Sequence, residues 1–476
     1  MSKFIRALIL VAPVAFVYCQ TAPESPFLEK PYLQLGNSPK LAASETLELL
    51  WHTGPTQGNW SVEVRTSKDA AWRAMQKPLA TPVNAPGIPP HLVYRALLAG
   101  LVPGEEFRYR VLKDKDAVFT ASGHARKSAT QPYRLVLFGD CAQGTPASRA
   151  IAYQTSLAKP DAVVIPGDIV YSSGRISEYQ TKFFPVYNAD TASADAGAPL
   201  IRSIPFIGVV GNHDSVLTNF QRFGDALAFF LYWDEPLNGF VPSPNSHAAV
   251  HRLTGNEAAQ PAFLAAAGPR YPLMANFSFD YGNAHWTMID SNTYMDWTNA
   301  ELRDWLAKDL ASAKNATWRF VAFHHPGFNS AKEHFTDQWM RTLAPVFEAG
   351  QVDVVFQGHV HNYQRTYPFT FVPKPQADGS AVGPKGEVTG NWTFDKDFKD
   401  GQSARPKGVI YITTGGGGAE LYSVLMQKDP SSWQPFTYKF ISEEHSLSVV
   451  DVDGKTFRLK QVSDTGQQVD SFQITK

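Results

Sequence analysis

The 476-residue chain is 43% hydrophobic and 18% charged, which supplies a large core over a length that favours two domains or more. Its formal net charge is −1 and it has no long Lys/Arg block. The charge footprint of a nucleic-acid binder or a membrane-surface protein is therefore missing, and a small or locally charged substrate fits better.

At the start of the chain, Lys3 and Arg6 precede an apolar run from Ala7 to Val17 that Pro13 interrupts. The run is too short to span a bilayer and reads as a signal peptide over residues 1–19, cleaved after Cys19 or near Ala22. Tyr18 beside Cys19 argues against a lipid-anchor site. No later apolar stretch is long enough to hold the protein stably in a membrane. The expected destination is the periplasm or the cell exterior. Cys19 and Cys141 are the only cysteines, so the exported protein has one thiol and no internal disulfide.

From about Pro31 to Arg126 the pattern is one of short alternating strands: "LELLWHT" at Leu47, "WSVEVRT" at Trp60, "HLVYRALL" at His91 and "EFRYRVLKD" at Glu106. Period-two alternation between Gly and Pro turns predicts an all-β sandwich. "GLVPGEEFRYRV" resembles the strand-entry signature of fibronectin type III domains, with Phe107 where Tyr is common. A fibronectin type III-like domain is expected over residues 29–127.

Beyond "SATQP" the pattern changes. "YRLVLFGD", "DAVVIPGD" and "IPFIGVVGNHD" are apolar runs ending at Asp140, Asp168 and Asp214. Helices are predicted between them, over about Thr145 to Leu157 and Ile176 to Tyr187. Buried strands alternating with helices imply a parallel α/β core, whose active residues collect beyond the carboxyl ends of the strands. The alternation resumes with "HWTMIDS" and a helix whose face is Leu302, Trp305, Leu306 and Leu310, behind a capping pair of Thr298 and Glu301. "RFVAFHH", "VDVVFQGHVH" and "GVIYITTGGGG" follow as strands. Residues from about Leu237 to Pro272 and Pro373 to Lys407 read as long surface insertions.

The predicted strand ends collect Asp140, Asp168, Asn212, His213, His324 or His325, His359 and His361. One Asp or His at a strand end is an ordinary turn former. Five strands that all end in metal-capable side chains point instead to a site. Oxygen and imidazole donors without thiolates suit iron, zinc, manganese or a mixed pair, and a carboxylate can bridge two ions.

"GD", "GDIVY", "GNHD", "FHHP" and "GHVHNYQR" occur in the order found in the metallophosphoesterase (calcineurin-like phosphoesterase) superfamily. The tyrosine of "GDIVY" resembles the purple acid phosphatase branch, whose members often carry a fibronectin-like domain first. The resemblance implies an α/β/β/α two-sheet catalytic domain over residues 131–474. It implies Fe(III) held by Asp140, Asp168, Tyr171 and His361, and a divalent Zn, Fe or Mn held by Asp168, Asn212, His324 and His359. Asp168 would bridge the two ions. Two carboxylates and a phenolate make a hard anionic set suited to a trivalent ion. The implied reaction is phosphate monoester hydrolysis by a metal-activated hydroxide. His213 protonates the leaving group, and His334 and Asn212 bind the phosphate of a small substrate. The alternatives are a phosphodiesterase or nucleotidase on the same site, or a non-catalytic exported binding protein. Composition and motifs leave the oligomeric state open.

Around this set, His325 is expected just outside the metal site or against the substrate, and Glu333 stands where a second histidine is common in plant-type members. Cys141 reads as a small buried residue, Asp214 as the cap of a following helix or else the residue that orients His213, and Tyr363 and Arg365 as supports of the histidine loop. "TTGGGGAE" lacks the Lys-Ser/Thr of a P-loop and reads as a strand-end loop near the metal face.

Overall fold

The computed structural model describes residues 25–215, 220–243, 252–398 and 405–476. The predicted signal peptide, residues 1–19, lies outside them. Among the described residues no helix is long and apolar enough to cross a membrane.

The four strands read from alternation are present as Glu45–Thr53, Trp60–Arg65, His91–Leu101 and Glu106–Lys113. They belong to two four-stranded antiparallel sheets. One runs Glu29–Gln34, Glu45–Thr53, His91–Leu101, Leu79–Val83; the other runs Arg73–Ala74, Trp60–Arg65, Glu106–Lys113, Asp116–His124. Their inner faces close on a core of Leu47, Leu49, Trp51, Trp60, Val62, Val64 and Tyr94, in which Trp51 and Tyr94 stack at 5.2 Å. Phe107 is buried here. The hydroxyl that a tyrosine would bring at that position is absent, while Tyr109, two residues on, donates a hydrogen bond to the Arg202 carbonyl of the second domain at 2.8 Å. A fully buried ion pair of the first domain, Arg126 with Glu45 at 2.7 Å, reaches the second through the Arg126 guanidinium, which donates to the Asp280 carbonyl at 3.1 Å. A charge pair this deep is held because each remaining donor has an acceptor.

The second domain is built on two packed sheets. One has the order Phe206–Gly208, Ala162–Ile165, Tyr133–Leu137, Ser446–Asp453, Thr456–Ser463, Gln468–Thr475; its first three strands are parallel and the rest antiparallel. The other has the order Phe277–Tyr281, Ala284–Met288, Trp318–Phe323, Val354–Gln357, Ile410–Thr414, Tyr363–Thr366, Thr437–Ile441. Leu135, Val164, Ile207, Trp286, Phe320, Phe356 and Leu459 fill the space between the sheets. Helices cover both outer faces: Pro146–Ala158 on the first, and Ala300–Ser312 with Ala344–Ala349 on the second. The result is the expected α/β/β/α sandwich. The antiparallel strands after Ser446 were not read from sequence.

The predicted helix over Ile176 to Tyr187 forms as one helical segment, with π-type bonding across Tyr179–Phe183. Pro185 has no N–H to continue the i→i−4 ladder, and the turn before it widens. The predicted cap pair Thr298 and Glu301 is not what starts the helix Ala300–Ser312. Asn299 is the N-cap, accepting from the backbone of Glu301 and Leu302, while Thr298 donates to Asp296. Asn is as good a cap as Thr, and the local turn at Asp296 claims the threonine. The insertion expected between Leu237 and Pro272 is not all loop: its alanine-rich stretch forms the helix Ala259–Ala267, which buries Phe263 against Phe220 at 5.3 Å. The other insertion contains a hairpin, Phe369–Pro373 with Gly390–Phe394.

Candidate metal centre

The carboxyl ends of five parallel strands, three from one sheet and two from the other, open onto a single space. Asp140 follows Tyr133–Leu137, Asp168 and Tyr171 follow Ala162–Ile165, and Asn212 and His213 follow Phe206–Gly208. His324 and His325 follow Trp318–Phe323, and His359 and His361 follow Val354–Gln357. Asp140, Asp168, Tyr171, His324, His325, His359 and His361 are all buried. Ten described non-glycine residues have positive φ, and four are at this site: Asp140, Asp168, His334 and His359. Strain of this kind concentrates where a side chain must be aimed rather than where the backbone is comfortable. Glycines make the approach possible. A Cβ at Gly211 would lie 2.2 Å from Asp168 Oδ1, and one at Gly358 would lie 2.8 Å from Asp140 Oδ2.

Backbone carbonyls and one carboxylate decide which imidazole nitrogen faces inward. His324 Nδ1 donates to the Pro166 carbonyl at 2.9 Å, and His361 Nδ1 to the Glu420 carbonyl at 2.6 Å. His359 Nε2 lies 3.3 Å from Asp337 Oδ2, turning its Nδ1 inward. Such outer partners fix the tautomer that offers a lone pair to a metal. His324 Nε2 accordingly faces Asn212 Oδ1 at 3.1 Å, Asp168 Oδ2 at 3.2 Å and His359 Nδ1 at 3.2 Å. On the other side, the Tyr171 hydroxyl lies 3.0 Å from Asp140 Oδ1 and 3.1 Å from His361 Nε2. Between the two sets sits Asp168. Its Oδ1 accepts from the His213 backbone at 2.8 Å, and its Oδ2 is buried without a hydrogen bond.

Lone pairs aimed at lone pairs require a positive charge among them, either a proton or a cation. Without a cation the protons go where the carboxylates hold them. Burial opposes charge on His324, but Asp168 outweighs it and raises the imidazole to about 9. Asp168 moves the opposite way: burial would raise it, and His324 followed by His213 hold it well below the carboxylate range. Burial, Asp140 and Asp168 together push Tyr171 well above the usual phenol value, so its proton stays on until a strong cation displaces it. The donor set of carboxylate, phenol, amide and imidazole fits two hard or borderline ions.

The sequence-derived residues come together around one space. His325 is held through Nδ1 2.9 Å from Ser291 Oγ, and its ring lies 4.3 Å from that of His359, in a group with His324 whose donor atoms lie within 4.8 Å of one another. His334 stands beside the centre, its ring 3.9 Å from that of His359. The Asp214 carboxylate accepts from the backbone N–H groups of Ile169 and Gly211, tying the Asp168 loop to the Asn212 loop; the helix it was expected to cap would begin outside the described residues. Tyr363 and Arg365 both bond Asp470 on the C-terminal strand at 2.7 Å. Cys141 is buried, its thiol pushed up chiefly by burial, with Sγ 3.3 Å from the Ile169 carbonyl. The glycine loop packs as expected on the Asp140 turn, through Gly417 to the Gly139 carbonyl and Ala419 to the Asp140 carbonyl.

Two residues at the site were missed. Asp337 bonds both His334, at 3.1 Å, and His359. The "EHFTD" spacing held a carboxylate three residues after His334, which was a usable signal. Tyr422 stacks on His361 with ring centroids 4.0 Å apart and planes at 11°. No local pattern announces it.

Residues 133–363 match the family of calcineurin-like phosphoesterases. An uncharacterized protein of Mycobacterium tuberculosis is 23% identical over 411 residues, 81% of this chain and 69% of that protein. A probable inactive purple acid phosphatase of Arabidopsis thaliana is 24% identical over 81% of this chain and 58% of its own length. Among solved structures, the purple acid phosphatase PPD1 of yellow lupin (Lupinus luteus) superposes with a TM-score of 0.63 over 94% of this chain and 74% of the lupin chain at 18% identity, a likeness of fold. The chain carries a calcineurin-like phosphoesterase domain over residues 133–363 and has purple acid phosphatases among its relatives.

Proposed function

We propose that the chain hydrolyses phosphate monoesters at a dinuclear Fe(III)–M(II) centre, with M being Zn, Fe or Mn, in an exported protein made of a fibronectin type III-like module (29–127) and a catalytic domain (131–474). Asp140, Asp168, Tyr171 and His361 hold the trivalent ion; Asp168, Asn212, His324 and His359 hold the divalent one. The observation that carries this reading is Asp168 Oδ2, buried and without a hydrogen bond between two groups of inward lone pairs. When bound, the ions supply Lewis-acid polarisation of the phosphoryl oxygens and an activated water.

The remaining steps belong to the side chains. His213 is partly exposed, with its ring over Tyr171 at 4.5 Å and Nδ1 held by the Ser172 carbonyl at 2.7 Å. Nε2 is then the nitrogen free to pass a proton to the departing oxygen. His334 is fixed through Nδ1 by Asp337, which leaves Nε2 for a phosphoryl oxygen, and Asn212 contributes its amide N–H. Glu333 accepts a hydrogen bond from Ser423 Oγ, which ties its carboxylate to the far wall and lessens its repulsion of the phosphate.

The test is metal analysis, the visible spectrum and aryl phosphate hydrolysis across pH on one preparation. A visible band is expected from a tyrosinate–Fe(III) pair, and Tyr171→Phe removes it. A band that persists overturns the tyrosinate assignment. Absence of monoester turnover in protein that holds both ions overturns the activity. Diester turnover in its place identifies a phosphodiesterase.

A further inference from the structure

The segment Glu420–Lys428 forms one wall of the site without supplying any of the proposed ligands. The Glu420 carbonyl holds His361, and the backbone N–H of Tyr422 donates back to the His361 carbonyl at 3.0 Å. Ser423, in left-handed backbone, bonds the Glu333 side chain and the Lys332 backbone, so the wall is tied to the loop that carries His334. Met426 anchors the turn in a small core with Ala331 and Val360, one from the His334 loop and one lying between His359 and His361. With Met426 buried, Val424 and Leu425 are turned outward, and Leu425 is 85% exposed, the most exposed large apolar side chain described. The half-buried ring of Tyr422 spans from His361 to His334, 5.8 Å away.

An aromatic ring stacked on one proposed ligand and tilted toward the phosphate-binding histidine offers a flat face to a group carried by a phosphoester held at His334. In the turn that follows, Val424 and Leu425 present exposed apolar side chains. Apart from the proposed ligands Asp140 and Asp168, carboxylates flank the ring: Glu333 is bonded by Ser423, next to Tyr422, and Glu420 stands two residues before it. An anionic leaving group is repelled there, and a flat uncharged one is not.

We infer that Tyr422 and the Val424–Leu425 turn select phosphoesters with an uncharged aryl or similarly flat apolar leaving group. This rests on the function proposed above, but its test does not need turnover. Calorimetric titration of the metal-loaded protein compares phenylphosphonate, methylphosphonate and 4-carboxyphenylphosphonate, which share the phosphonate and differ in what reaches the wall. Phenylphosphonate is expected to bind about tenfold more tightly than methylphosphonate, the worth of one aromatic pair, and more tightly than the carboxylated analogue. Tyr422→Ala should bring the phenyl-to-methyl ratio close to one, Tyr422→Phe should keep it, and Leu425→Ser should lower it about twofold.

A ratio of one in the unaltered protein, or a ratio unchanged in both Tyr422→Ala and Leu425→Ser, overturns the inference. Should Tyr422→Ala fail to hold its ions, Leu425→Ser decides. Equal binding of the carboxylated analogue overturns the exclusion of charge. Phenyl selectivity in protein that hydrolyses no phosphoester upholds this inference and overturns the proposed reaction; turnover with a ratio of one does the reverse.

Discussion

Asp168 and His324 face each other with Oδ2 3.2 Å from Nε2, and while Nε2 carries no proton that oxygen has no hydrogen-bond donor. The rest of both side chains is held from behind: His324 by the Pro166 carbonyl, Asp168 by the His213 backbone. The pair is a fixed carboxylate and a fixed lone pair with the space between them reserved for positive charge.

In the proposed centre, Asp168→Ala removes the carboxylate that would bridge the two ions. Metal content is expected to fall from about two ions per chain toward none. Elemental analysis of dialysed protein checks this, and retention of either ion at full occupancy contradicts the bridging role.

Asp337→Asn keeps the shape and removes the charge that orients His359 through Nε2. Burial raises the Asp337 carboxyl, but its bonds to His334 and His359 outweigh burial and bring it down to about 2, so it is ionised throughout the working range. Affinity for the divalent ion should drop about 10- to 100-fold, as for other partners that stand behind a metal-bound histidine. Competition with a chelator reads the change directly.

Gly211→Ala places a methyl group 2.2 Å from Asp168 Oδ1 and 2.4 Å from the Asp168 backbone nitrogen. Neither neighbour is free to move, since the same turn is tied through Gly211 N–H to Asp214 at 2.9 Å. A loss of about 1–3 kcal/mol in stability is expected, together with weaker metal binding. Gly54→Ala, where a Cβ meets nothing within 4 Å, serves as the control and should leave Tm unchanged.

Away from the centre, His285 is clamped between Asp280 Oδ1 at 2.7 Å and Asp309 Oδ2 at 3.1 Å, with Thr287 and Ser278 donating to Asp309. Burial opposes its charge, yet the two carboxylates raise the imidazole above its ordinary 6.5. A raised base stabilises the fold fully below the unfolded value and loses that share as pH rises through the folded one. The carboxylates are lowered despite burial, so their share is whole above 3.8 and lost as pH falls through their folded values. Thermal stability from this cluster is therefore greatest between about pH 4 and 6.5 and declines on the alkaline side. His285→Gln should cost about 1–3 kcal/mol at pH 6 and flatten that alkaline decline. An unchanged slope in the variant assigns the decline to other groups.

Much of the fold was legible because it is written in local periodicity. Alternation in "LELLWHT" and "WSVEVRT" marks strands with one face buried, and the apolar runs before Asp140 and Asp168 mark strands buried on both faces. The misreadings have local causes too. Asn299 and Thr298 are both competent caps one residue apart, and only the turn at Asp296 chooses between them. The alanine-rich stretch at Ala259 carried too weak a polar face to separate a helix from an insertion.

The ligand candidates were legible for a related reason: a parallel strand delivers whatever follows it to one edge of the sheet, so residue type at the strand end carries position as well as chemistry. Residue order alone puts Asp140, Asp168, Asn212, His324, His359 and His361 at such ends. Packing across the two sheets settles which nitrogen of His324, His359 and His361 turns inward, that Asp337 stands behind His334 and His359, that Asp214 ties two loops together, and that Tyr422 covers His361. Those relations join residues tens to hundreds of positions apart across two sheets, and no periodicity of a single chain segment records a contact made by packing.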